Sequence, residues 1–295
     1  MKIPSFIILL FCLMIALSSC SENKTNQTIP KINADRAFLF VKEIAEIGPR
    51  PSGSEGALKN IQYIQNQLDQ IKVPYEIDEW KENTPIGELT FRNLTAVIPG
   101  KKEKFVIVGA HYDTKRLATV QNFSGANDGA SGCGVLLELM NTIKESNIKP
   151  YYTLKFVFFD GEECFYKYSE KDGLYGSRRM AKQMEYNNLI AKCRAAIILD
   201  MIGDADLQIT FPADSDKTLA NIFFGTAEKM GTKKYFSWYK TDIIDDHTPF
   251  LQKGIPAIDL IDFQFGEGNR YWHTSEDSID KISKESLEIV GNCVI

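Results

Sequence analysis

The residues best equipped for chemistry in this sequence are three histidines and a recurrent set of carboxylates. In chain order they are His111 with Asp113, Asp128, Asp160 with Glu162 and Glu163, Asp200, the run Asp245-Asp246-His247, and Trp272-His273. A lone histidine beside an apolar segment is more often structural than a ligand. Here acids recur with the histidines, and each group stands near an apolar run. Carboxylates gathered at one place repel each other unless they are protonated or neutralised by a cation. A divalent metal is the simplest neutraliser. A nitrogen and oxygen donor set without thiolates favours zinc.

The elements that must gather these residues can be read from the pattern of apolar residues. Residues 105–110, 154–159, 195–199 and 257–261 are nearly continuous apolar runs, as expected of strands buried on both faces. Helical patterns over 132–144, 174–188 and 217–230 alternate with them. Two further helices are predicted over 33–47 and 54–71, the second with Leu58, Ile61, Ile64 and Leu68 at three-to-four spacing. Runs at 75–80 and 89–98 read as strands that extend the sheet with antiparallel partners. The alternation predicts a single-domain, three-layer α/β fold with a mixed, mostly parallel central sheet covered by helices. In such sheets, sites form beyond the carboxyl ends of the strands. His111, Asp160 to Glu163, and Asp200 each follow one of the apolar runs, and Asp128 opens a helix.

Other chemistries find no support. A formal net charge of -5, with no basic run interleaved with aromatics, argues against nucleic-acid binding. Lys101 to Lys104 reads as a solvated turn. The glycines at 129, 132 and 134 do not have the spacing of a phosphate-binding loop, and helix capping with close packing is their expected role. No Gly-x-Ser-x-Gly elbow is present. Cys133, Cys164, Cys193 and Cys293 are widely spaced and read as small buried hydrophobes.

The N-terminus reads as a targeting segment. Lys2 precedes an apolar stretch over 6–17, which is short for a membrane span and suited to a signal-peptide core. Leu17-Ser18-Ser19-Cys20 resembles a bacterial lipobox. The expected organisation is a lipoprotein signal peptide over 1–20, a polar tether over 21–33 and a catalytic domain over 34–295. The mature chain would be exported and held by lipid on Cys20 at the periplasmic or cell-surface side of a bacterial membrane, with no spanning helix.

Five motifs in order resemble one superfamily: His111-Tyr112-Asp113, Gly125-Ala126-Asn127-Asp128-Gly129, Phe159-Asp160-Gly161-Glu162-Glu163, Leu199-Asp200-Met201-Ile202-Gly203, and Trp272-His273-Thr274. They are similar to the motifs of co-catalytic zinc aminopeptidases and the related glutaminyl cyclases. Gly48-Pro49-Arg50-Pro51-Ser52-Gly53 fits the same group, and the resemblance covers residues 34–290. Three features favour the cyclases. The segment from Glu162 to Arg178 is longer than in the peptidases and ends in a cyclase-like Asp172-Gly173-Leu174-Tyr175-Gly176-Ser177-Arg178. Asp245-Asp246-His247 stands where peptidases tend to have Ser-Asp-His. Trp272 precedes the last histidine.

The resemblance implies that the N-terminal glutamine of peptides and proteins is closed to pyroglutamate with loss of ammonia. It implies one zinc held by Asp128, Glu163 and His273, with Glu162 as general acid and base. Asp200 and Asp245 would be its catalytic companions, and Trp272 and Tyr168 would line the substrate pocket. His111 and Asp246 are candidates for a second metal or for groups supporting the first. The alternative is a two-zinc aminopeptidase, because His111, Asp128, Glu163, Asp200 and His273 fill all five ligand positions of that branch. A non-catalytic surface-binding lipoprotein is a further reading, opposed by the filled chemical positions. The chain is expected to act as a monomer.

The sequence also departs from the animal cyclases. Ala110 replaces a cysteine that pairs there with the counterpart of Cys133. Asp259 stands where a histidine supports the catalytic aspartate, and Tyr168 stands where tryptophan lines the pocket.

Overall fold

The computed structural model describes residues 29–120 and 122–295. The expected signal peptide, Cys20 and most of the tether lie outside these residues. The tether ends earlier than expected: Ile32 is buried and donates its backbone N–H to Asn292. The folded domain therefore begins two residues before position 34, because an apolar side chain there finds a place in the core.

The predicted helices and strands form nearly where the patterns place them. Helix α1 (Ala34–Glu46) is capped by Asn33, and α2 (Glu55–Ile71) by Ser54, whose side chain accepts from the N–H of Ala57. Strands β1 (Tyr75–Thr84) and β2 (Gly87–Ile98) make an antiparallel hairpin. Then follow β3 (Lys102–His111), α3 (Ala130–Ser146), β4 (Tyr152–Phe159), α4 (Tyr175–Tyr186) and β5 (Cys193–Asp200). The chain continues through β6 (Ile209–Phe211), α5 (Lys217–Met230), β7 (Phe236–Trp238), α6 (Thr248–Gln252), β8 (Ala257–Ile261) and α7 (Lys284–Val294).

The strands lie in the order β1-β2-β4-β3-β5-β8-β6-β7. Its centre, β4-β3-β5-β8, is parallel. The hairpin adds antiparallel strands on one side, and β6 joins β8 antiparallel on the other. Helices α1, α2, α3, α5 and α7 share a core with one face of the sheet, while α4 and α6 pack on the other. The three layers and the mixed, largely parallel sheet match the sequence reading. Strands β6 and β7 were not anticipated, since three residues are too few to display a period.

Close packing is visible at Gly132, where a Cβ would collide with the carbonyl of Leu199 at the end of β5. This bears out the packing role read for that glycine. Cys133, Cys164, Cys193 and Cys293 are all buried and free. No helix among the described residues is long and apolar enough to cross a membrane.

Candidate active site

Parallel strands end at the same edge of a sheet, so the residues that follow them meet. Strand β3 ends on His111, β4 delivers Asp160 to Glu163, and β5 ends on Asp200. The loop entering α3 brings Asp128 to the same edge, and the loop before α7 brings His273. Two groups of potential ligands result. Asp128, Glu163 and His273 form one, with ligand atoms all within 4.8 Å of one another. His111, Asp128 and Asp200 form the other, so Asp128 belongs to both.

The first group suits a metal. His273 Nε2 lies 2.8 Å from Glu163 Oε1 and 3.2 Å from Asp128 Oδ2. Asp128 Oδ2 and Glu163 Oε2 are buried, make no hydrogen bond, and meet only the His273 and Lys115 nitrogens, each at 3.2 Å. Orphaned carboxylate oxygens are costly inside a protein unless a cation meets them. Two carboxylates and one imidazole are a zinc donor set with room for a further ligand. Burial works against the His273 imidazolium, yet Glu163 and Asp128 raise its pKa to about 10. His273 also has a left-handed backbone, with φ of 55°. Such strain is found where surrounding structure holds a functional side chain in place.

Residues without an assigned role in the sequence reading fix these ligands. The Asp113 carboxylate accepts from the backbone N–H groups of Gly161, Glu162 and Glu163 at 3.0, 3.1 and 3.3 Å. It thereby sets the turn that points the two glutamates. The Asp277 carboxylate does the same for Asn127 and Asp128, at 2.7 and 3.2 Å. Lys115 Nζ stands 3.2 Å from Glu163 Oε2. The fully buried Arg50 donates to the carbonyls of Gly48, Ser124 and Gly125, tying the loop before Asp128 to the Gly48–Gly53 turn.

The second group is closed by hydrogen bonds. His111 Nε2 is 3.2 Å from both Asp128 Oδ1 and Asp200 Oδ1, and its Nδ1 is 3.1 Å from the carbonyl of Asp113. Burial opposes its charging, but Asp113, Asp128 and Asp200 raise its pKa well above the usual value.

Glu162 stands beside the first group. Burial and the neighbouring charges of Glu163 and Asp245 push its pKa well up. Tyr168 Oη donates to Glu162 Oε1 at 2.8 Å, so Tyr168 is more than a wall. Burial likewise raises Asp200, to about 7, against the pull of His111 and with the help of Asp245. Glu162, Glu163, Tyr168, Asp128, Asp200, Asp245, Trp272 and His273 all line one cleft of about 270 Å³, joined by Ile243, Ile244 and Phe263. Trp272 stacks on His273 with ring centroids 4.0 Å apart.

Two acidic-run residues fall elsewhere. Asp246 is wholly buried, belongs to neither ligand group and has no hydrogen-bond partner on either oxygen. Two roles are expected for Asp246, second-metal ligand or support to the first metal, but neither ligand group includes it, and it does not line the cleft. His247 is also buried and points to Asp214, at 3.4 Å. Asp259, on β8, is buried near Asp245 and Asp200, and burial followed by those two charges pushes its pKa well up. Like Asp246, it has no hydrogen-bond partner on either oxygen.

Comparison with known proteins agrees with this geometry. The sequence profile of Peptidase family M28 matches residues 93–295. A solved glutaminyl cyclase from an Acidobacteriales bacterium is 33% identical, with a TM-score of 0.84 over 91% of this chain and 94% of that one. The chain belongs to the glutaminyl cyclases of peptidase family M28. A cyclase structure from Porphyromonas gingivalis is 27% identical, with a TM-score of 0.79 over 89% of this chain and 96% of that one. Glutaminyl-peptide cyclotransferase of Dictyostelium discoideum is 28% identical across 92% of this chain and 84% of its own length. Within this family the present chain keeps Cys133 as a free thiol that donates to the carbonyl of His111, with Ala110 beside it.

Proposed function

We propose that the protein is a zinc-dependent glutaminyl-peptide cyclotransferase that converts an N-terminal glutamine to pyroglutamate and releases ammonia. The observation that carries this reading is Glu162. It is a buried acid of raised proton affinity, oriented by Tyr168 and placed beside the Asp128, Glu163 and His273 group in a small cleft. Membership in the glutaminyl cyclases supports the same assignment.

In the proposed reaction the substrate's α-amine nitrogen attacks its own γ-carbonyl carbon. A carbon–nitrogen bond forms, the bond to the amide nitrogen breaks, and that nitrogen leaves as ammonia. The attack is intramolecular, so the protein gains most by holding the side chain bent toward the amine. Glu162 accepts the amine proton and passes it to the departing nitrogen, which balances the protons without net loss. Tyr168 occupies one oxygen of Glu162 and leaves the other for the substrate. Asp200 accepts from the amide N–H groups, Asp245 orients that contact, and Trp272 walls the pocket. Zinc on Asp128, Glu163 and His273 supplies a Lewis acid for the γ-carbonyl oxygen when bound.

One zinc per chain is proposed. The two-zinc aminopeptidase reading is favoured by a single observation, the His111, Asp128 and Asp200 group, and it would have Glu162 activate water instead. Mass spectrometry of a peptide beginning with glutamine separates them. Loss of one ammonia with every peptide bond intact is expected, and release of free amino acids would refute cyclisation. The substrates proposed are peptides and proteins with N-terminal glutamine.

The Leu17-Ser18-Ser19-Cys20 motif supports export and lipid anchoring. Cys20→Ala is expected to stop incorporation of labelled fatty acid and to move the protein out of the membrane fraction. Unchanged labelling would remove Cys20 as the anchor.

A further inference from the structure

The opposite end of the sheet has features that the proposed reaction does not use. Between the amino-terminal halves of β3, β4 and β5 and the helices α3 and α7 lies a groove of about 300 Å³. Val106, Leu154 and Ile197 form its floor, and Leu139, Ile143 and Val294 form its sides. Ser146, on its edge, spends its hydroxyl on the carbonyl of Ile143. The interior thus presents hydrocarbon and offers little to orient a polar ligand.

The rim has a different character. Tyr151 is 59% exposed, and Lys102 Nζ stands 5.9 Å from the centre of its ring. Backbone bonds from Lys101 to Pro150 and from Lys102 to Tyr151 join the two loops into one edge. Lys101, Lys102, Lys104 and Lys149 are all exposed on or beside this edge. Among the described residues none of them forms an ion pair. Glu103 is the acid within the run, and Glu145 on α3 is occupied by Arg36. Unpaired lysines and an exposed aromatic around an apolar slot are complementary to anionic headgroups above acyl chains. Pro30 also lines the groove, and Ile29 beside it is 69% exposed. Residues 1–28 therefore join the fold at this rim.

We propose that this end of the sheet docks on an anionic phospholipid bilayer and that the groove admits one acyl chain of that bilayer. The surface is additional to any lipid on Cys20 and independent of the cyclisation reading. It also sets an orientation. The active-site edge lies at the far end of β3, nine residues and about 30 Å from Lys102, so the cleft would open away from the membrane.

Photocrosslinking tests this on the full chain. Vesicles of equal parts phosphatidylcholine and phosphatidylglycerol would carry a diazirine at the acyl terminus, and adducts would be mapped by mass spectrometry. Adducts are expected on the peptides of α3, β3 and β4 that face the groove. They are expected to fall roughly tenfold or more when phosphatidylglycerol is omitted, or when Lys101, Lys102 and Lys104 are all changed to Glu. Those exposed changes should leave thermal unfolding unaltered, which separates lost docking from lost folding. Adducts confined to residues 1–28, or groove adducts undiminished by the charge reversal, would overturn the proposal.

Discussion

The two ligand groups that meet at Asp128 differ in what they still lack. In the group of Asp128, Glu163 and His273, two buried carboxylate oxygens make no hydrogen bond and meet only the His273 and Lys115 nitrogens at 3.2 Å, and all three residues line the cleft. In the group of His111, Asp128 and Asp200, the imidazole lies within 3.2 Å of both carboxylates and turns its other nitrogen to a backbone carbonyl. Asp128 Oδ2 and Glu163 Oε2, both in the first group, make no hydrogen bond. A histidine bridges two acids in both groups, but His273 lines the cleft, whereas His111 is buried and does not reach it. The same five residue types would serve two metals or one, and access from the cleft distinguishes the two groups where residue identity does not.

This contrast can be broken at its shared corner. Asp128→Ala is expected to remove zinc from the purified protein and to abolish turnover, as read by metal analysis and ammonia release. Glu162→Gln is the companion change. It should retain zinc and lose roughly 10²–10⁴-fold in turnover, because only the proton carrier is removed. Zinc loss in Glu162→Gln would mean that the two adjacent glutamates have been assigned the wrong way round.

A smaller effect should follow at the bridging histidine. His111→Gln is expected to keep one zinc while losing roughly 10–100-fold in activity, the range usual for residues that support a metal ligand. Loss of half the bound metal in that variant would instead place a second ion between Asp128 and Asp200.

Much of this arrangement was legible in the sequence. Buried strands announced themselves as apolar runs, and the rule that sites form at their carboxyl ends gathered His111, Glu162, Glu163 and Asp200. Supporting contacts were harder to read. Asp113 and Asp277 act on backbone N–H groups, which carry no residue signature. Tyr168 reaches Glu162 from an irregular loop, where no period predicts direction. Helix α7 does carry a signal in the sequence, with Ser283 as its cap and Leu287, Val290 and Cys293 buried along it. Asp246 and His247 show the reverse limit: adjacency to Asp245, which lines the cleft, did not bring them into it.

Zinc titration into the metal-stripped protein tests the account most directly, with ammonia and free amino acids measured at each addition to a glutaminyl peptide. Ammonia release that rises to its full rate at one equivalent of zinc, with no amino acid liberated, is the predicted result. Activity that requires two equivalents and liberates amino acids would contradict it.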